Sequence, residues 1–364
     1  MKKKLGWSDL EVIFEKLKSD GYQTIAPVVK DGVISYEVID QSSQIPQGFV
    51  EEVDAGTYKL QKVGGEARFD YKVGPTSLKR HFHPPKRKLF SVAKSPEGYQ
   101  VLPSDDQRSG AKMAVFGMRS CDLAAMSVFD RVSSVFPSDG FVSNRQRDTL
   151  KIVVGCLQAG QLCFCDSMGT GPLPKNDYDL LILEIKQPNL HYLVEAKSAV
   201  GKTLIDTLGE PNEFSRNEYE TKAKKTFRTV VKDPKSASAI KQLPDHPVFN
   251  EIEKRCMACA NCTMVCPTCY CTTTVEKDDL QSGNAERWLT WDSCFQTDYS
   301  YIHGGSIRET TKSKYRQWLT HKFSTWHDQF GSSGCVGCGR CMAWCPVGIN
   351  VVEEINKITE TSEK

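Results

Sequence analysis

Leu10, Ile13, Phe14 and Leu17 recur at the three- and four-residue spacing of an amphipathic helix. They follow Ser8-Asp9-Leu10-Glu11, which has the form of a capping box. The pattern predicts a short helix from Ser8 to about Lys18. Strand-like runs follow at 24–29 and 33–38, joined through Asp31-Gly32, a hairpin signal. From 41 to 110 the chain is polar and broken by Pro and Gly, and no regular element is expected there. His81 and His83 flank Phe82 without a carboxylate nearby, so they read as surface or packing residues rather than as a metal pair.

The middle of the chain is more regular. A strand is expected at 112–118 and a Val-rich one at 150–155. Between them lies a helix at 122–135, with Leu123, Met126, Val128 and Phe129 on or near its apolar face. Strand, helix, strand at this spacing is a βαβ unit with a parallel pair. Strands at 178–185 and 191–196, turned at Pro188-Asn189, extend the same sheet. Residues 197–245 are polar and Lys-rich (Lys222, Lys224, Lys225, Lys232, Lys235, Lys241) and read as a helical connector. Asp245 is placed to cap a helix running through Ile252 toward Cys256. From Pro267 to Gly334, Trp288, Trp291, Trp318 and Trp326 and the helical spacing around 315–323 suggest a helical insertion. The expectation is an α+β chain in three parts. Residues 1–215 form an α/β domain with a partly parallel sheet. Residues 216–245 form a charged connector. Residues 246–364 form a mostly helical, ferredoxin-like domain.

The cysteines change the picture most. Cys256-Met-Ala-Cys259-Ala-Asn-Cys262-Thr-Met-Val-Cys266-Pro267 and Cys335-Val-Gly-Cys338-Gly-Arg-Cys341-Met-Ala-Trp-Cys345-Pro346 both match C-x2-C-x2-C-x3-C-P. That run holds [4Fe-4S] cubanes in bacterial-type ferredoxins, and its fourth Cys ligates the other cluster. One cluster is thus expected on Cys256, Cys259, Cys262 and Cys345, and the other on Cys335, Cys338, Cys341 and Cys266. Zinc sites also use C-x2-C pairs, but they rarely need a third Cys two residues on and a fourth before Pro. Haem attachment is excluded, because no C-x-x-C here is followed by His.

Cys121 and Cys156 each lie just past the carboxyl end of a predicted parallel strand, the edge where such sheets bind ligands. Cys163 and Cys165 follow on one loop. Cys121, Cys156, Cys163 and Cys165 are therefore a candidate third metal site, read as a third iron–sulfur cluster, with structural zinc or plain packing as alternatives. Cys269, Cys271 and Cys294 have no assignment.

Composition narrows the remaining classes. The chain has 364 residues, 25% of them charged, with a net charge of +2, so no electrostatic case exists for nucleic acid or an acidic membrane surface. Met-Lys-Lys-Lys is not followed by an apolar h-region, and no run reaches the length of a membrane span. The 15 cysteines, clustered in C-x-x-C and C-x-C units, argue against a secreted disulfide framework and for a reducing, oxygen-poor cytoplasm. Gly201-Lys202-Thr203 lacks the earlier P-loop Gly, since position 196 is Ala. Gly169-Thr-Gly171 is followed by Pro172-Leu-Pro174, which cannot open a dinucleotide-binding helix. No flavin or nicotinamide site and no Ser/His/Asp constellation is visible.

Phe116-Gly-Met-Arg-Ser-Cys121-Asp122, Cys163-Phe-Cys165, Cys262-Thr-Met-Val-Cys266-Pro-Thr-Cys269-Tyr-Cys271, Trp291-Asp-Ser-Cys294 and Cys335-Val-Gly-Cys338-Gly-Arg-Cys341 occur in one order. That order resembles the family of iron–sulfur subunits found in anaerobic sulfite reductase and, as the beta subunit, in cytoplasmic sulfhydrogenases. The resemblance spans residues 110–350 and is loose before them. Cys165-Asp-Ser-Met-Gly-Thr170 leans toward the sulfite reductase side, and the chain departs from the family around 304–317. The resemblance implies a relay subunit with no catalytic residues of its own. One partner would be a flavin-containing subunit linked to NAD(P)H or ferredoxin. The other would be a catalytic hydrogenase or sulfite reductase subunit. The competing class is a redox enzyme whose amino-terminal cysteine site exposes an iron to substrate.

Overall fold

Asp31 and Gly32 both take positive φ, 51° and 75°, the pair of left-handed conformations that a type I′ hairpin needs. Gln23–Lys30 therefore folds straight back as Val33–Ile39. The computed structural model describes residues 1–72, 74–103, 112–135 and 140–361. The hairpin ends an eight-stranded sheet whose order is Glu210–Pro211, Lys2–Leu5, His191–Ala196, Leu180–Ile185, Thr149–Val154, Met113–Met118, Gln23–Lys30, Val33–Ile39. Four consecutive strands, from Leu180–Ile185 to Gln23–Lys30, run parallel, and the flanking strands pair antiparallel. Every residue of Met113–Met118 is buried, as expected of a parallel strand covered on both faces.

Two helices cover one face. Trp7–Ser19 buries Leu10, Ile13, Phe14 and Leu17, and Ala199–Ile205 buries Leu204 and Ile205 in the same core. On the other face Ser120–Val135 lays Leu123 and Met126 against Val153, Leu181 and Leu183. The first helix starts one residue before Ser8. The Gly6 amide donates to Asp9 Oδ2 at 2.8 Å, so the carboxylate caps from inside the first turn and Ser8 is already helical. Asp245 does not cap the later helix either. That helix is Val248–Glu253, and the Val248 amide donates to His246 Nδ1 at 3.2 Å.

Two expectations are corrected. The stretch 41–110 carries two hairpins, Phe49–Asp54 with Thr57–Lys62 and Lys86–Ser95 with Gly98–Pro103. The insertion after Cys266 opens with a third, Thr272–Asp279 with Asn284–Trp291, so it is not purely helical. The second and third hairpins join into one antiparallel sheet, ordered Thr272–Asp279, Asn284–Trp291, Lys86–Ser95, Gly98–Pro103. Thr272–Asp279 is solvated, and Asn284–Trp291 and Lys86–Ser95 are mostly half-buried on both faces, so they lack the apolar alternation that marks a strand. Cation–aromatic packing stands in for it. The ammoniums of Lys86, Lys88 and Lys277 lie 4.5, 5.3 and 5.6 Å from the Trp288 ring centroid. This sheet ties residues 86–103 to residues 272–291 and so bridges the two halves of the chain.

The carboxy-terminal half is helical around its own core. Val248–Glu253, Thr311–Thr320 and Val351–Thr361 bury Phe249, Ile252, Trp318, Leu319 and Ile355 together.

Candidate metal centre

Both cysteine runs adopt one backbone shape. Around the middle Cys, Ala258 and Ala260 have φ of 51° and 66°, and Gly337 and Gly339 have φ of 66° and 77°. Left-handed conformations on either side of the middle Cys curl the loop around that residue. Alanine pays for this conformation with strain, which such sites commonly store. Each loop then winds into a short helix, Asn261–Met264 or Arg340–Ala343. Backbone amides point at sulfur: Ala258 N to Cys256 Sγ at 3.5 Å, Gly337 N to Cys335 Sγ at 3.4 Å, and Ile349 N to Cys345 Sγ at 3.3 Å.

The thiols line two cavities. One is lined by Cys256, Cys259, Cys262 and Cys345, with Tyr315 and Trp318 behind them. The other is lined by Cys266, Cys335, Cys338 and Cys341, with Phe164 and Lys322. Cys341 also reaches the first cavity. The last Cys of each run thus stands in the other run's cavity. Among the described residues no three His, Cys, Asp or Glu side chains converge on a point that would hold a single metal ion. Three thiols of one run and the last of the other around one cavity make the donor set of a cubane. Burial pushes the Cys262 and Cys341 thiols well up and Cys335 to about 12. Ionising such a set requires compensating positive charge, which a bound metal supplies.

Lys322 supplies more of it. Residues His321–Thr325 form a π-helical turn, and Lys322, Phe323 and Ser324 are buried in succession, which one face of an α-helix cannot do. Lys322 Nζ donates to Thr268 Oγ1 at 2.9 Å and to Gly334 O at 3.1 Å. Thr268 Oγ1 in turn lies 3.2 Å from Cys266 Sγ. Burial works against the ammonium, but Cys266, Cys269 and Cys335 outweigh it and hold the Lys322 pKa well above its usual value.

The amino-terminal cysteines gather at one edge. Cys121 follows Met113–Met118 and Cys156 follows Thr149–Val154, two strands paired in parallel. Cys163 and Cys165 are both raised by burial first and by Cys156 among their neighbours. Cys121 sits on the far side of this group, buried with Cys165, Cys338 and Val336. Arg119 Nη1 lies 4.0 Å from Cys156 Sγ. The Cys163–Cys165 loop packs directly on the second run, where Phe164 N donates to Gly337 O at 2.8 Å. A Cβ on Gly337 would stand 2.6 Å from Cys165 Cα, so this approach requires glycine.

Residues 255–349, which contain both runs, match the family described as 4Fe-4S dicluster domain. The chain is 26% identical over 316 residues to the sulfhydrogenase 2 subunit beta of Pyrococcus furiosus, a match covering 84% of this chain and 90% of the relative. The two matches support an iron–sulfur subunit family. No solved structure matches it. Among the described residues no helix is long and apolar enough to cross a membrane.

Within this chain, spacing alone missed one grouping. Asp292 N donates to Cys271 O at 2.8 Å at the base of the Thr272–Asp279/Asn284–Trp291 hairpin. That pairing carries Cys294 close to Cys271. Cys294, then the Tyr299 hydroxyl, the Cys294 amide and Lys322, hold the Cys271 thiol down at about 6 against burial. Recognising 272–291 as a hairpin would have been the signal.

Proposed function

We propose that this chain is an electron-transfer subunit carrying two [4Fe-4S] clusters. One would be held by Cys256, Cys259, Cys262 and Cys345, and the other by Cys335, Cys338, Cys341 and Cys266. The observation that carries this reading is the pair of cavities, each walled by three thiols of one run and the last Cys of the other. When bound, each cubane would supply one-electron transfer. Cys341 reaches both cavities, which favours passage between them. Cys121, Cys156, Cys163 and Cys165 are proposed to hold a third cluster, with Arg119 offsetting its negative charge. The contact of their loop with Gly337 supports an onward route.

The relay would run from or to a flavin-containing subunit linked to NAD(P)H or ferredoxin. At its other end would stand a catalytic subunit of hydrogenase or sulfite reductase type. A specific observation favours a second reading, a redox enzyme with a substrate-accessible site. An open cleft of ≈ 1330 Å³ lined by Glu51, Lys72 and Gly160 adjoins the amino-terminal cysteines, and a Cβ on Gly160 would stand 3.0 Å from Cys163 Sγ.

Anaerobic purification of the native complex separates the two. The relay predicts copurifying flavin and catalytic subunits, with about eight irons in this chain for two cubanes or about twelve for three. Full substrate turnover by this chain alone overturns it. Lys322 offers a finer test. Lys322→Met removes a positive charge beside Cys266, so the reduced, more negative state of that cluster loses stabilisation. At about 6 Å and an effective dielectric of about 20, the lost attraction is about 3 kcal/mol, so the potential falls by on the order of 100 mV. A redox titration followed by electron paramagnetic resonance reads this shift, and an unmoved midpoint contradicts the assigned role of Lys322.

A further inference from the structure

We propose that the Tyr315 hydroxyl is a hydrogen-bond donor to the group held in the first cysteine cavity and raises its reduction potential. The acceptor, a cubane on Cys256, Cys259, Cys262 and Cys345, rests on the function proposed above. The helix Thr311–Thr320 begins where the Thr310 hydroxyl accepts from the Ser313 amide at 3.1 Å. Tyr315 and Trp318 lie three residues apart on it and so share a face. Their ring centroids are 5.3 Å apart, and Phe295 stands 6.3 Å from each. Both side chains are 3% exposed. Neither the Tyr315 hydroxyl nor the Trp318 indole N–H has a hydrogen-bond partner among the described residues. Folded chains rarely leave a buried donor unpaired, because nothing replaces its lost hydration. Both residues line the first cavity, alongside its four cysteines. The indole N–H of Trp326 and that of Trp344 are unpaired too, but neither residue lines a cysteine cavity. Of the unpaired buried side-chain groups among the described residues, only those of Tyr315 and Trp318 belong to these walls.

The chemistry of the wall selects the acceptor. No cysteine sulfur is the partner of either donor, which leaves the inorganic sulfide that a cubane brings. The phenol stays protonated and able to donate: burial first, then Cys262, Glu354, Cys341 and Cys256, push the Tyr315 pKa well up. An indole N–H can only donate. The second cavity is walled differently. Lys322 faces it with a charge, and its ammonium is already engaged by Thr268 Oγ1 and Gly334 O. Trp318 lines both cavities, so Tyr315 is the donor that serves the first one alone. Sulfide accepts more strongly when it carries more negative charge, so a hydrogen bond to it tightens on reduction and favours the reduced state. A neutral hydroxyl at one cavity and a lysine at the other thereby set two potentials separately, within one packed core.

The test uses the full chain purified without oxygen and titrated with mediators under electron paramagnetic resonance. Tyr315→Phe keeps the ring and its packing and removes only the O–H. It should lower one midpoint by about tenfold in the reduction equilibrium, about 59 mV for one electron, and leave the others in place. Iron and sulfide contents should match the wild type. A fluorotyrosine in place of Tyr315 is a stronger donor of nearly the same shape and should raise that same midpoint. Opposite shifts from the two replacements cannot come from packing. Unmoved midpoints in an iron-loaded Tyr315→Phe chain overturn the proposal, and so does an equal shift of every midpoint. If Tyr315→Phe does not load iron, the fluorotyrosine chain decides, and a midpoint that fails to rise overturns the proposal. A wild-type chain without iron overturns the iron–sulfur reading and the proposal together, a result distinct from an unmoved midpoint on a loaded chain.

Discussion

Asp122→Asn is expected to destabilise the folded chain by about 3–5 kcal/mol, the usual cost of removing one partner of a buried ion pair. Arg340 Nη2 lies 2.9 Å from Asp122 Oδ1, and both side chains are 0% exposed. The two charges are adjacent but poorly aligned for a hydrogen bond, so Coulomb attraction dominates the contact. Tyr36 O–H donates to Asp122 Oδ2 at 3.1 Å, and Arg340 Nε donates to Gly74 O at 3.0 Å. Asparagine keeps the shape and leaves the guanidinium buried without its counter-charge, which water cannot reach to compensate. The positions add a functional cost. Asp122 follows Cys121 at the start of its helix, and Arg340 lies between Cys338 and Cys341. Losing the pair loosens the seam between the α/β half and the second cysteine run. Chemical denaturation of the anaerobic protein measures the loss. A change below about 1 kcal/mol, the range of exposed pairs, would mean that the pair does not hold this seam. Asp122→Asn with Arg340→Met should recover part of the loss, because no lone charge remains buried.

Cys266→Ser should strip the cluster proposed for the other run, that of Cys335, Cys338 and Cys341, while the cluster of its own run persists. Cys345→Ser should do the reverse. The ground is that Cys266 lines the cavity of the second run and Cys345 the cavity of the first. A serine oxygen is a poor substitute for thiolate at iron, so the affected cubane should be lost or degraded, removing about four irons. Iron analysis with electron paramagnetic resonance of both variants reads the outcome. If each variant loses the cluster of its own run, the crosswise ligand sets are wrong. Cys266→Ser should also free Lys322, whose compensating sulfurs include Cys266.

How much of this was legible follows from how local each signal is. The capping region and apolar stripe of Trp7–Ser19, the Asp31-Gly32 turn and the parallel strands around Cys121 depend on residues within a few positions of one another, so their patterns reveal them. The Lys86–Ser95 and Thr272–Asp279 strands do not, because their stabilisation comes from backbone pairing and from Trp288 held between lysines. A strand that is solvated or evenly half-buried along its length carries no periodic apolar signature. The π-turn that buries Lys322 beside Phe323 is equally silent, since a helical wheel expects neighbours to diverge.

The sequence by itself determined the cysteine loops and the βαβ core. Three thiols two residues apart on a tight loop, and apolar runs of fixed length between turns, constrain short stretches of chain through geometry that no distant residue alters. Only the tertiary structure decided which distant groups meet. It set Asp122 against Arg340, brought Cys294 near Cys271 and laid the Cys163–Cys165 loop on Gly337. Each of these contacts joins residues far apart along the chain, and its energy depends on burial and on the low-dielectric surroundings that the fold creates. Those surroundings exist only once both halves have packed, so residue spacing cannot encode them.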